Sequence, residues 1–249
     1  MSASSYRERI GGVVGKIWET QMGNIEKASA AMAETIANGG LVHMFGSGHS
    51  VLPVQDMFPR YGAYPGFHPL MDMRLMWTNV IGSGGAKGLL WLERREGYAQ
   101  ILFENEPIRA GDVMLVFSHG GLNAAGIEVL MEAKKRGLTT VGVTSLDNYR
   151  KREATHSSGK KLADVSDIVI DNCTPAEDAL VAIEGWKAPV GAGSTVACMM
   201  IAMSIIAQVA ANLAGKGLTP PVFVSPNVQG IPADNTARVY GEYERRLKR

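Results

Sequence analysis

The chain alternates short apolar runs with longer segments in which apolar residues recur at helical spacing. The apolar runs have the length of buried strands, and they occupy residues 40–45, 113–117, 138–143 and 168–170. The longer segments predict helices over residues 6–38, 51–61, 89–103, 124–136, 196–214 and 235–249. Strands joined by helical crossovers pair in parallel, so the pattern predicts an α/β protein with a layered parallel sheet and a long N-terminal helix.

Two segments depart from this alternation. Residues 63–70 contain Pro65 and Pro69, which restrict the segment to an edge strand or an extended loop. Residues 144–163 form a polar connection whose centre reads His-Ser-Ser-Gly-Lys-Lys. Connections of this length inside a compact domain are often functional, so we expect the second segment to contribute to a site.

Two of the predicted strands end in turns rich in glycine, serine and histidine. The first turn reads Gly46-Ser47-Gly48-His49-Ser50, and the second reads Ser118-His119-Gly120-Gly121-Leu122-Asn123. Glycine lets the backbone turn sharply and approach a ligand, while serine hydroxyls and free N–H groups bind anions. An ordinary strand-to-helix turn explains either sequence alone. Their joint presence predicts a ligand lying across both turns.

Composition narrows the functional classes. The 249 residues, of which 46% are hydrophobic, suffice for one large core, and we treat residues 1–249 as a single domain. The 25 basic and 24 acidic residues balance, which argues against nucleic acid or an anionic membrane as a partner. Cys173 and Cys198 form neither a disulfide framework nor a Cys-x-x-Cys pair, and no secretory signal opens the sequence. We therefore expect a cytoplasmic protein.

The uncharged stretch 196–214 is long enough to cross a membrane. However, Ser204, Gln208 and Asn212 form a polar stripe along it, and alanines are frequent. These features favour a helix buried in the domain or in a subunit contact, and we expect no membrane partner.

The five histidines are scattered and show no ligand spacing such as His-x-x-x-His, so we predict no metal site and no cofactor. His43 lies in an apolar run, which is typical of a core histidine with a buried partner. Asp56 follows the first turn and has two interpretations, a contact to a sugar hydroxyl or a simple surface charge.

The order of these features resembles the sugar isomerase (SIS) domain: a long helix, a Gly-x-Gly-x-Ser strand end, a serine-containing second strand end, and an apolar helix after Gly191-Ala192-Gly193-Ser194-Thr195. More narrowly, residues 156–162, 167–172 and 221–225 resemble the single-domain SIS proteins of the UPF0309 group. The resemblance implies a three-layer α/β sandwich with a five-stranded, flavodoxin-like parallel sheet. It also implies a homodimer or homotetramer with a sugar-phosphate site near a subunit boundary.

The resemblance assigns roles to residues of the turns and the polar connection. Ser50 and Ser118 would bind the phosphate of the sugar. The full set of substrate-binding residues expected from the resemblance is Gly46, Ser47, Gly48, His49, Ser50, Ser118, His119, Gly120, Gly121, Asn123, Ser157, Ser158 and Lys160. The second turn departs from the family pattern Ser-x-Ser-Gly-x-Thr, because Gly120 replaces the second serine and Asn123 replaces the threonine. Either His119 or Lys160 compensates, or the substrate is an unphosphorylated sugar derivative.

Interconversion of an aldose phosphate and its ketose requires a base to move a proton between neighbouring carbons, and an acid at the oxygen. Glu96 is the first choice for the base, because residues 96–99 resemble the segment that carries an acidic catalytic group in the muramic acid phosphate etherases. Glu93 in the same segment is the alternative, and both glutamates could instead form a solvated, ion-paired face. His156 is the second catalytic candidate, able to move protons near neutral pH or, alternatively, to order its loop.

Three functions follow from these residues. The leading hypothesis is an aldose–ketose phosphosugar isomerase that resembles phosphoheptose isomerases. The second is an amino-sugar phosphate lyase or etherase, which would use the same base for elimination. The third is a sugar-phosphate sensor without turnover. The sequence leaves all three open.

Overall fold

In the computed structural model, which describes residues 2–82 and 84–248, a five-stranded parallel sheet forms the centre of the protein. The strand order is β2-β1-β3-β4-β5, and all four pairings are parallel. The strands are β1 (Val42–Gly46), β2 (Phe67–Pro69), β3 (Val113–Phe117), β4 (Thr139–Thr144) and β5 (Ile168–Asp171). The predicted α/β sheet is confirmed, and β2 is the edge strand that its prolines allow.

Helices cover both faces of this sheet. They are α1 (Ser2–Thr20), α2 (Met22–Ala37), α3 (Val51–Met57), α4 (Ala86–Leu92), α5 (Ala99–Leu102), α6 (Ala124–Lys135), α7 (Leu146–Lys151), α8 (Ser194–Gly215) and α9 (Asn235–Leu247). Short 3₁₀ turns lie at Gly48–Ser50, Met73–Leu75 and Leu162–Val165. An antiparallel pair, β6 (Ala179–Val181) and β7 (Val190–Ala192), precedes α8.

The alternation of side chains along the strands divides the core into two layers. Val42 and Met44 of β1 pack with α1, α2, α3, α8 and α9, whereas Phe45 of the same strand packs with α4, α5 and α6. Successive side chains of a strand point to opposite faces, so an apolar run without alternation is buried on both sides. The result is the expected three-layer sandwich.

Two predicted helices are each divided in the structure. The helix expected over residues 6–38 breaks at Gln21, whose side-chain oxygen accepts a hydrogen bond of 3.0 Å from the Asp171 backbone of β5. The helix expected over residues 89–103 becomes α4 and α5, separated by a turn. Gly97 adopts φ +86° in that turn, and its N–H donates to the Glu128 carboxylate at 2.7 Å. In both places a contact distant in sequence overrides local helical periodicity.

The other predicted boundaries differ less from those in the structure. The predicted helix over residues 51–61 ends at Met57, and the polar connection 144–163 contains α7. Asp234 stands at the N-terminus of α9 but makes no capping hydrogen bond through its side chain.

The apolar helix α8 is long and apolar enough to span a membrane, and it is the one such helix within residues 2–82 and 84–248. Its buried residues belong to the core on the side of α2, and the Tyr64 hydroxyl donates to the Ile206 carbonyl at 2.6 Å. The prediction of a helix buried in the domain or in a subunit contact holds for the face of α8 that lies in this core.

At the amino end of the sheet, the buried carboxylate of Asp112 joins three segments. Its oxygens accept hydrogen bonds from the Leu41 and Arg109 backbone N–H groups at 3.1 and 3.0 Å, and its Oδ2 lies 2.9 Å from His43 Nε2. His43 is fully buried and is the core histidine that the sequence suggested. The contacts fix the starts of β1 and β3 side by side.

We expect Asp112→Ala to lower the free energy of unfolding by about 3–5 kcal/mol, because it leaves buried donors without their acceptor. Asp112→Asn keeps one acceptor oxygen and the side-chain shape, and should lose less. Urea denaturation of the three proteins measures both effects. An alanine variant within about 1 kcal/mol of the parent would show that the carboxylate does not fix these strands.

Candidate functional site

The first turn is wound so tightly that its leading residue has no room for a side chain. A Cβ on Gly46 would lie 2.1 Å from the Ser50 carbonyl oxygen. The Ser50 N–H in turn donates to the Ser47 carbonyl at 3.1 Å, and Gly48 adopts φ +59°. The turn thereby presents Ser47, His49 and Ser50 at the carboxyl end of β1.

The second turn lies beside the first, because Gly46 and Phe117 are paired in the sheet. The Ser118 hydroxyl oxygen accepts a hydrogen bond of 3.2 Å from the Gly121 N–H, which leaves its O–H able to donate to an anion. Gly121 has φ +61°, and a Cβ there would lie 2.6 Å from Thr144 Oγ1. From β1 the chain adds β2 on one side of the sheet and β3 on the other, so the direction in which strands are added reverses between β1 and β3. Ligands of open α/β sheets bind at such a reversal point.

His119 of the second turn is almost fully buried. Its Nδ1 lies 3.1 Å from Thr174 Oγ1 and 3.3 Å from Asn172 Nδ2. Burial lowers the pKa of His119, partly opposed by the charge of Asp178. His119 is therefore a neutral group at neutral pH and does not supply the positive charge that could replace a missing phosphate ligand. His49 is exposed and lies against Trp77, with 6.3 Å between the ring centroids.

Glu93 brings a buried carboxylate to the first turn. The Ser47 hydroxyl donates to Glu93 Oε2 at 2.7 Å, and the glutamate is 5% exposed. The Glu93 carbonyl accepts a hydrogen bond of 3.0 Å from the Ala125 N–H in the first turn of α6. The end of α4 is thus fixed between the two glycine-rich turns, with an acid at the carboxyl edge of the sheet.

Glu96 lies in the turn between α4 and α5 and not on the predicted continuous helix. The hydroxyl and backbone N–H of Ser157 both donate to its carboxylate, and these bonds lower the pKa of Glu96. His156 Nε2 lies 3.9 Å from Glu96 Oε2 and 3.6 Å from Glu128 Oε1. The predicted residues Glu96, His156 and Ser157 therefore meet, although they are distant in sequence.

A cavity of about 320 Å³ opens next to these residues. Its lining combines the second turn, the turn after α4 and the polar connection: Arg94, Glu96, Leu122, Asn123, Ala124, Thr155 and His156. The Thr155 hydroxyl donates to the Leu122 carbonyl at 2.7 Å and so joins the connection to the second turn. The cavity lies at the N-terminus of α6, and the positive end of a helix dipole favours an anionic or strongly polar ligand.

The sequence of the chain matches that of known proteins over nearly its whole length. A sequence model of the SIS domain matches residues 5–145. The chain belongs to the SIS domain family. A UPF0309 protein of Listeria monocytogenes serotype 4b is 35% identical, over 93% of this chain and 91% of the relative. A UPF0309 protein of Caldanaerobacter subterraneus is 33% identical, over 98% of each chain.

Solved structures share the SIS fold. A phosphoheptose isomerase from Francisella tularensis gives a TM-score of 0.54 at 15% identity, covering 83% of this chain and 95% of the other. Phosphoheptose isomerase GmhA from Neisseria gonorrhoeae gives 0.56 at 16% identity, covering 84% and 97%. At this identity the comparison shows that the architecture is common to these proteins.

Not every residue that the sequence singled out reaches the cavity. Lys160 is exposed, and its charge acts on Asp164 instead. Asp56 forms a partly exposed ion pair of 2.6 Å with Arg60, which supports its interpretation as surface charge. Ser158 lies behind His156, with 2.8 Å between its Oγ and Nδ1 of the imidazole.

Several residues beside the cavity or the first turn were not among those that the sequence singled out. They are Trp77, Arg94, Glu128 and Thr155. In the sequence, Glu128 cannot be told from other charged residues on an amphipathic helix. Trp77 likewise cannot be told from other exposed aromatic residues. Only the polarity of the connection 144–163 gave a signal, and it pointed to the segment without identifying Thr155.

Gly120, which takes the place of a serine in the family pattern that the sequence resembles, is structurally free to vary. A Cβ there would meet only Asn148 Nδ2, at 4.0 Å, and the backbone is outside the left-handed region. The glycine is therefore not required by the turn, in contrast to Gly46 and Gly121.

We expect Gly46→Ala to lower the free energy of unfolding by about 3 kcal/mol or more, because the methyl group overlaps the Ser50 carbonyl. Gly120→Ala is the matched control and should change it by no more than about 1 kcal/mol. Chemical denaturation followed by circular dichroism measures both. Equal stability of the two variants would contradict the tight first turn.

Proposed function

We propose that this protein is an aldose–ketose isomerase acting on a phosphorylated sugar. The observation that carries the proposal is the buried Glu93 carboxylate, hydrogen-bonded to Ser47 of a glycine-rich turn at the reversal point of the sheet. An acid placed beside an anion-binding turn is what proton transfer next to a sugar carbonyl requires. The phosphoheptose isomerases that share the fold add support.

In this mechanism the two turns bind the phosphate. Ser50 and Ser118 contribute hydroxyl groups. Backbone N–H groups of the first turn can approach the anion closely, because residues 46 and 48 are glycines and carry no side chain. The sugar extends into the cavity beside Asn123, His156 and Glu96. Asn123, Thr155 and His156 offer hydrogen-bond partners to the hydroxyl groups of the sugar, and Leu122 and Ala124 contribute an apolar part of the lining.

Glu93 acts as the base that removes the proton next to the carbonyl and returns it to the neighbouring carbon. Between the two glutamates that the sequence offered, burial favours Glu93. The Glu93 carboxylate is enclosed and faces the first turn, whereas the Glu96 carboxylate is exposed and accepts hydrogen bonds from Ser157. Exclusion of water strengthens the electrostatic interactions of a catalytic carboxylate with its substrate. The homo-oligomer and the cytoplasmic location stay predictions.

We expect Glu93→Gln to reduce the exchange of solvent deuterium into the sugar phosphate by about 10²-fold or more, because the amide cannot accept the proton. The control is Glu104→Gln, which changes an exposed glutamate further along the chain. This variant should catalyse deuterium exchange at the rate of the parent protein. The sugar used in this assay is first identified by a thermal-shift screen of sugar phosphates and their unphosphorylated counterparts. A ligand that binds the native state raises the apparent stability of the protein.

The products of that assay separate the proposal from its alternatives. Exchange with formation of the ketose supports an isomerase. Release of a new alcohol or acid would replace it with a lyase, and a thermal shift without exchange would replace it with a sensor. A Glu93→Gln variant of full activity would remove Glu93 as the base.

We expect Gly120→Ser to tighten binding of the sugar phosphate by roughly 10-fold to 100-fold, because a hydrogen bond to a charged acceptor contributes about 1.5–3 kcal/mol. Calorimetric titration measures the change, with Gly120→Ala as the control that adds the Cβ without the hydroxyl. Identical affinities of the serine and alanine variants would show that the phosphate does not reach position 120.

A further inference from the structure

Arg94 borders two neighbouring cavities just after the end of α4. On one side it lines the cavity of about 320 Å³ described above, together with Asn123 and His156, which we call the inner cavity. On the other side it lines an outer cavity of about 480 Å³. The other residues of that lining are Lys87, Leu90, Trp91 and Arg95. Within residues 2–82 and 84–248, no acidic side chain lines the outer cavity.

The cations of the outer cavity are not paired with acids. Lys87 and Arg94 are exposed, and their side chains form no ion pair or hydrogen bond with the residues that the structure describes. The Arg95 guanidinium lies over the Trp91 ring, 4.2 Å from its centroid, and this contact leaves its charge uncompensated. The whole chain carries 25 basic and 24 acidic residues, so overall charge does not explain this local excess. A cavity lined by charges of one sign attracts a ligand of the other.

The acidic residue that lines the inner cavity is directed away from Arg94. Glu96 accepts hydrogen bonds from the Ser157 N–H and hydroxyl. The Ser158 N–H donates to His156 Nδ1 at 3.1 Å, so the proton of the neutral imidazole is on Nε2. That nitrogen lies 3.9 Å from Glu96 Oε2. The negative charge of Glu96 is thus opposed by Ser157 and His156, and the charge of Arg94 is available to a ligand.

The backbone on both sides of Arg94 is fixed. The Glu93 carbonyl accepts a hydrogen bond of 3.0 Å from the Ala125 N–H of α6. The Arg95 N–H donates to the Leu92 carbonyl at 2.9 Å. The guanidinium therefore extends from a defined point between the two cavities, and less freedom is lost when it binds a ligand.

We propose that Arg94 binds a second anionic group of the substrate, so that the substrate is a sugar phosphate that carries a further phosphate or a carboxylate. This rests on the proposed function, which places the first phosphate at the two glycine-rich turns and the sugar in the inner cavity. A guanidinium offers two parallel N–H donors to either anion. Lys87 and Arg95 add positive potential on the side of the outer cavity, where the second anion arrives.

The location of the cations separates the second anion from the first. Ser50 and Ser118, the hydroxyl donors proposed for the phosphate, do not line either cavity in the part of the chain that the structure describes. Lys87 belongs to α4, and Arg94 follows that helix, so neither residue is part of a glycine-rich turn. The two anions of one ligand therefore have separate binding groups.

The test is calorimetric titration with pairs of ligands that differ by one anionic group. The pairs are fructose monophosphate with fructose bisphosphate, and glucose phosphate with phosphogluconate, each phosphorylated at the same terminal carbon. We expect the ligand with two acidic groups to bind at least about 10-fold more tightly than its partner. The difference should shrink as salt is added, because Arg94 is exposed and salt screens its charge.

Arg94→Gln should weaken binding of the ligands with two acidic groups by at least about 10-fold, and that of the monophosphates by no more than about 2-fold. Arg94→Lys keeps the charge without the paired donors and should retain part of the difference. Arg109→Gln is the matched control, because it removes an exposed arginine at the amino end of the sheet. Thermal unfolding of each variant without ligand checks that the fold is retained.

Equal affinities within the ligand pairs would overturn the proposal, as would a difference that survives Arg94→Gln. If Arg94→Gln weakened all four ligands equally, Arg94 would bind the first phosphate and the proposal would also fail. A Glu93→Gln variant of full activity would remove the proposed base and leave the preference for two acidic groups unchanged, so the two failures are distinguishable. Binding of none of the four ligands would overturn both proposals.

Discussion

The close approach of Gly46 to the Ser50 carbonyl is the constraint on which the site depends. With no space for a Cβ, the chain must reverse immediately after β1, and it does so through Gly48 in a left-handed conformation. That reversal brings Ser47 within 2.7 Å of the Glu93 carboxylate and exposes His49 at the rim. A wider turn would move the hydroxyl groups away from the sheet edge, and the buried acid would lose its partner.

Buried polar groups at the two ends of the sheet are used differently. At the amino end, Asp112 accepts bonds from two backbone N–H groups and contacts His43, and the group holds β1 and β3 together. At the carboxyl end, Glu93 and His119 are also buried; Glu93 borders the first turn, and His119 belongs to the second turn, whose Leu122 and Asn123 line the cavity. Buried groups that are fully engaged stabilise a fold, whereas those beside a cleft are available to a ligand.

The sequence predicted the sheet well because burial on both faces leaves unbroken apolar runs: the run 113–117 is β3 itself. It also identified the two glycine-rich turns, since their chemistry is local. It failed where a distant partner decides the structure. Glu128 lies 31 residues from Gly97, and nothing near position 97 indicates that a carboxylate will bind its N–H. Likewise, Glu93 and Glu96 look alike in sequence, and only tertiary packing buries one of them.

The break between α4 and α5 explains how two glutamates three residues apart reach different surroundings. On a continuous helix, residues at this spacing share one face and would meet the same neighbours. Because the helix ends at Leu92, Glu93 turns inward to Ser47 while Glu96 is carried outward to Ser157, toward His156 and Glu128. The separation gives the two carboxylates different surroundings, one enclosed beside the first turn and the other exposed at the rim of the cavity, and surroundings of this kind decide how readily a carboxylate holds a proton.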